Sequence, residues 1–124
     1  MKNTYVDSKQ LDSVEEIEKV IVRNIPSELE ELVMSVAMTF PDYETALSTC
    51  LRFCSYEDSN VRAIAILGFG HIARRFRKLD KDKVLPLLEE ALLSEDENIA
   101  GRAWSACDDI THFLGWSIQG FEEE

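Results

Sequence analysis

Residues 58–76, DSNVRAIAILGFGHIARRF, are echoed 38 positions later by DENIAGRAWSACDDITHFL, and the two stretches share spacing more than identity. Val61, Ala65, Gly68 and Ile72 step by 4, 3 and 4, as do Ile99, Ala103, Ala106 and Ile110, and as do Leu29, Val33, Val36 and Phe40 earlier in the chain. Such steps mark one face of an α-helix. A shorter stripe with steps of 3 and then 4 precedes each of them: Val14/Ile17/Ile21, Leu47/Cys50/Cys54 and Leu85/Leu88/Leu92. A single helical hairpin cannot bury its apolar stripe, whereas a stacked neighbour supplies the missing wall. The shared register therefore predicts an all-α chain, a short α-solenoid of about three antiparallel helix pairs forming one domain.

No period-2 alternation suggests strands, and start signals recur where helices should begin. Ser13 with Glu16 and Ser27 with Glu30 read as capping boxes, and Asp42, Asp80, Asn60 and Asn98 read as N-caps. The six helices expected are 13–24, 27–40, 42–55, 60–77, 81–94 and 98–114, with residues 1–12 as a lead-in and 115–124 as an acidic, solvated tail. Gly68 and Gly70 each weaken a helix by about 1 kcal/mol relative to Ala, so close packing or the approach of a partner should offset them.

The formal charge of -11 is unevenly spread. Residues 1–57 carry 11 acids against 5 bases, 58–95 carry 6 against 7, and 96–124 carry 7 against 1. Phosphate backbones are held by Lys and Arg that displace counterions, so acidic ends disfavour nucleic acid and favour basic proteins. The longest apolar run is too short to cross a bilayer. Three cysteines, an odd count, and an opening MKNTYVDSKQ without an apolar stretch imply a reducing, cytosolic setting.

DSNVRAIAILGFG resembles the second-helix signature of HEAT repeats, with its Asp, Val-Arg pair and small residues ending in Leu-Gly; DENIAGRAWSACDDI follows it with Ala100 in place of Arg62. The resemblance covers about residues 42–114 and implies a right-handed stack of helix pairs, without implying any chemistry. In size, acidity and degenerate HEAT-like stacking the chain also resembles, loosely, the immunity proteins of bacterial contact-dependent growth inhibition systems. That resemblance implies a cytoplasmic antidote, a monomer alone and a heterodimer with the toxin domain it neutralises. A nuclease toxin would present a basic site that carboxylates can occupy. A HEAT-like adaptor in a larger assembly is the alternative, and a nucleic-acid-binding or enzymatic HEAT protein, using Arg74, Arg75 and Arg77, is a third.

Rotation by roughly 100° per residue places three rows opposite the core: Met34, Ile66, Trp104; Met38, Gly70, Asp108; and Asp42, Arg74, His112. An outward row of Met, Ile and Trp suits a contact site. Met34, Met38, Ile66, Gly70, Arg74, Trp104, Asp108, Asp109 and His112 are thus the candidate partner-binding residues, with Glu122 to Glu124 adding charge. The competing expectation is that residues around Tyr5 and Val6, or the tail with Trp116, Ile118 and Phe121, cover Trp104.

Catalytic chemistry finds little support. His71 and His112 stand at different places in their helices, and no Ser, Cys and His pattern forms a motif. Cys50 and Cys54 share a face that a metal could use with Cys107, but the register buries them as small hydrophobes. No cofactor is expected. Arg74, Arg75, Arg77 and Lys78 fall at a helix C-terminus, where cations complement the dipole.

Overall fold

The computed structural model describes residues 13–122. They form six helices and no strand: α1 Val14–Arg23, α2 Pro26–Thr39, α3 Tyr43–Phe53, α4 Ser59–Phe76, α5 Lys81–Leu92 and α6 Glu97–Leu114. The all-α reading holds. The lead-in at 1–12, with Tyr5 and Val6, and the last two glutamates lie outside the described residues.

Local chemistry sets the helix ends, though not always through the residues the sequence suggested. The hydroxyl of Ser13 and the carboxylates of Asp42 and Asp80 accept from backbone amides three residues on, as expected. Ser27 and Glu30 do not form a capping box: α2 starts one residue earlier at Pro26, whose fixed φ and missing N–H suit a first helical turn, and Ile25 caps without a side-chain bond. Nor do Asn60 and Asn98 cap. Asp58 and Asp96 each accept two amide hydrogen bonds, which moves the starts of α4 and α6 forward by one residue from the expected bounds. Asn60 and Asn98 instead tie the two hairpins together, the amide of Asn98 donating to the Oδ1 of Asn60 at 3.3 Å.

All twelve 4-3-4 positions of α2, α4 and α6 are buried. The first helices follow their stripes less closely: Leu47, Cys50 and Cys54 are buried, but Val14 is 52% exposed and only Ile17 of its stripe is fully covered, since among the described residues α1 packs chiefly against α2. One apolar cluster runs through all six helices and takes in Ile118 and Phe121 beyond them. The second helices lie side by side, α4 packing against α2 on one flank and α6 on the other, with α3 and α5 behind.

Position α4 at the centre and its glycines follow. A Cβ on Gly68 would stand 2.5 Å from the Sγ of Cys50 in α3 and 3.1 Å from the Cβ of Ala37 in α2. One on Gly70 would stand 2.9 Å from the Cα of Ala106 in α6. Both glycines are there because two helices need the space. α4 ends at Arg77 in the left-handed region (φ 56°), and α6 ends at Gly115 (φ 71°), where glycine carries no steric penalty.

Candidate functional site

The row Met34, Ile66, Trp104 does not form one exposed ledge. Ile66 is 4% exposed, lining a recess with Cys54, Leu87 and Ile99, and Gly70 is buried against the backbone of Ala106 in α6. The sequence reading treated α4 as a helix with one covered side; it has two covered flanks as well. Ile66 and Gly70 are therefore packing residues, and α6 closes off Gly70.

The stripe of α4 that does reach the surface is Leu67, His71 and Arg74, at i, i+4 and i+7, turned about a sixth of the helix from the expected one. Arg74 was expected here; Leu67 and His71 were missed. Two of them, His71 and Arg74, cluster with Asp109 of α6. Arg74 Nη1 lies 3.4 Å from Asp109 Oδ2 and Nη2 lies 3.0 Å from the Nδ1 of His71. The guanidinium can only donate, so this contact makes Nδ1 an acceptor and leaves the proton on Nε2. Burial pushes the His71 pKa below its ordinary value, Arg74 and Arg75 push it further down, and Asp109 opposes them. The ring is thus neutral at physiological pH and its Nε2–H is a donor on a largely neutralised patch.

On α2, Met34 and Met38 are 38% and 43% exposed, one turn apart on one stripe with Glu31. They flank Ala37, whose Cβ abuts α4 at Gly68. Methionine adapts its shape to what it touches. His112 is exposed and its ring stands edge-on to Phe113, 4.7 Å between centroids.

Trp104 and Asp108 lie elsewhere, on the outer flank of α6, where no further helix packs among the described residues. The tail comes part of the way over that flank. Phe121 is buried rather than solvated, its ring 5.2 Å from that of Trp104, while the Gln119 amide donates to Glu89 Oε2. Trp104 nevertheless stays 42% exposed. The expectation that the tail covers Trp104 holds in part: the tail touches the indole and leaves much of it open. Asp42, placed in the third row, caps α3.

The basic cluster is used internally. Arg75 crosses to the end of α2 and donates to the carbonyls of Ala37 and Phe40, rather than serving its own helix. Arg77 stacks over Phe113, Lys78 over Tyr43 and Lys81 over Trp116. Cys50, Cys54 and Cys107 are free, buried thiols, as small core hydrophobes should be. Among the described residues no group of three metal-ligating side chains converges, and no helix is long and apolar enough to cross a membrane.

No protein-family model matches the chain, and no curated protein matches it by sequence. A solved structure does match in fold: a chain of the crystal structure titled "CDI complex from Cupriavidus taiwanensis LMG 19424" superposes with a TM-score of 0.69 at 25% identity, covering 82% of this chain and 89% of that one.

Proposed function

We propose that this chain is an immunity protein, an inhibitor without catalytic activity of its own, which neutralises a cognate toxin domain of a contact-dependent growth inhibition system. The observation that carries the reading is the match in fold to a chain of a CDI complex, which spans nearly the whole of both chains. The HEAT-like stacking read from the register agrees with it, since a row of helix pairs offers a broad surface and no enclosed active site.

Charge supports a basic partner. Arg23 and Arg52 pair with Glu28 and Glu18, Arg62 and Arg75 donate to backbone carbonyls, and three further cations cover aromatic rings. Among the described residues, the carboxylates of Glu31, Glu97 and Asp108 make no such bonds. The charge offered outward is therefore anionic. A toxin that cleaves nucleic acid must gather cations to hold phosphates, and an anionic cover both blocks that surface and speeds encounter by long-range attraction. Arg74 and Asp109, His112, and the Met34/Met38 pair are candidate contacts beside Trp104 and Asp108.

The test is coexpression of this chain with the toxin domain encoded beside it, in the cytoplasm of a bacterial host. Protection from killing, with a one-to-one complex whose affinity falls as salt rises, is the expected result. Equal killing with and without the chain refutes the reading. Recovery of several unrelated partners with no protection favours the adaptor, and affinity for duplex DNA or RNA at physiological salt favours a nucleic-acid-binding role.

A further inference from the structure

The outer flank of α6 carries Glu97, Gly101, Trp104 and Asp108 at steps of 4, 3 and 4, one continuous stripe. Its counterpart 38 positions earlier is Ser59, Ala63, Ile66 and Gly70, of which Gly70 abuts Ala106 of α6. In α4 Ala63, Ile66 and Gly70 of this stripe are buried; in α6 Glu97, Gly101 and Trp104 are exposed and Asp108 is half-buried, with the Phe121 ring against the indole.

Gly101 is the informative residue. Glycine weakens a helix interior relative to alanine, and in α4 that weakness has a visible reason, since a Cβ on Gly68 or Gly70 would strike a neighbour. A Cβ on Gly101 would meet nothing within 4 Å. The position is exposed, three residues before Trp104, and nothing in the chain's own described fold requires it to be bare. The missing side chain leaves a notch beside a half-open indole.

We infer that this stripe is where the toxin partner docks, through a basic segment that lays one Lys or Arg on the face of Trp104 and passes its backbone through the notch at Gly101. Glu97 and Asp108, about 16 Å apart along the helix axis, lie at the two ends of that segment and match its charges. The inference rests on the immunity reading. A second copy of this chain does not fit, since it brings the same -11 charge and the same anionic stripe.

The experiment measures affinity of the purified toxin domain encoded beside this chain for the full-length protein and for Gly101→Gln, Trp104→Ala and the Glu97→Gln/Asp108→Asn double variant. Gly101→Gln should melt at or above the wild-type temperature, because the new side chain points into open space and favours the helix. It should nonetheless bind roughly tenfold or more weakly. Trp104→Ala should lose at least as much, and the double variant should show a shallower salt dependence. Gly101→Gln keeps the test sound if Trp104→Ala unfolds through loss of Phe121. Wild-type protection and binding, with Gly101→Gln and the double variant both within about threefold of it, overturn this surface and leave the immunity reading standing. If the wild-type chain neither binds nor protects, both fall.

Discussion

Arg75, in the last turn of α4, donates from Nη1 to the carbonyl oxygen of Ala37 in α2 at 2.8 Å. Its Nη2 reaches the Phe40 carbonyl at 2.6 Å. These oxygens belong to the C-terminal turn of α2, which has no intrahelical partner for them, and the negative end of the helix dipole favours a cation there. One residue therefore caps a helix 35 positions away and fixes the second layer against the first. Burial lowers the Arg75 pKa. Arg75→Ala should destabilise the fold by about 2 kcal/mol, within the range for hydrogen bonds to a charged group. Arg75→Lys should recover less than half, since an ammonium cannot serve both carbonyls in the same fork. Urea denaturation of the three proteins measures the difference.

The glycines of α4 make a second, opposite-signed expectation about helix propensity. On propensity alone Gly68→Ala and Gly70→Ala should each add about 1 kcal/mol. Both should destabilise instead, by about 1–3 kcal/mol, the range for overpacking a filled core. Gly70 should be the worse, because the obstacle is the backbone of Ala106, whereas Gly68 meets the side chain of Cys50. Thermal melts showing either variant more stable than wild type would contradict the close helix approach described here.

These same helices show what could be read from the chain beforehand. The 4-3-4 stripes are legible because burial against a first helix demands one apolar face, and every such residue is buried. The outward face was misplaced at Ile66 and Gly70 because rotation from the core stripe assumes a helix covered on one side. α4 has ten buried residues in eighteen, the mark of a helix apolar nearly all round. The run AIAILGFG carried that signal. His71 was passed over because its significance lies in a tertiary contact with Arg74 and Asp109, which no local spacing encodes.

His71 should give stability a pH dependence on the acid side of neutrality. Its folded pKa lies below the ordinary 6.5, chiefly through burial and then through Arg74. Below that ordinary value the unfolded chain takes up the proton more readily than the folded one. The contribution is therefore fully present above pH 6.5 and is lost as pH falls from there through the folded value. His71→Gln should flatten this part of the profile relative to wild type. Urea midpoints across that range test it, and identical slopes in the two proteins would contradict a neutral ring whose Nδ1 accepts from Arg74.

Capping offers a direct comparison between the residues that serve and those that only look suitable. Asp58 and Asp96 each accept from two amides at the start of the longest helices. Asp58→Ala and Asp96→Ala should each cost about 1 kcal/mol. Ser27→Ala should be close to neutral, because its hydroxyl caps nothing in a helix that begins at Pro26. Paired denaturation curves separate these outcomes, and a Ser27→Ala cost equal to the Asp variants would restore the capping box.

The three cysteines should behave as core residues in their chemistry as well as their packing. Burial raises all three thiols: Cys107 to about 12, with Glu89 adding to the effect, and Cys50 further still, with Cys54 adding to it. The thiolate is the reactive form, so a disulfide reagent at about pH 8 should modify the native protein slowly and the urea-unfolded protein at once. Cys54 should be reached first. It is 8% exposed, and its Sγ–H is held only by the carbonyl of Leu51 at 3.3 Å. The sign of the linkage also follows. The unfolded thiols ionise near 9.0 while the folded ones remain protonated, so the unfolded state holds fewer protons and stability falls as pH rises above 9.0. Cys107→Ala should remove part of that alkaline loss while opening a small cavity against α5, which a melt series from neutral to alkaline pH resolves as a lower plateau with a shallower decline.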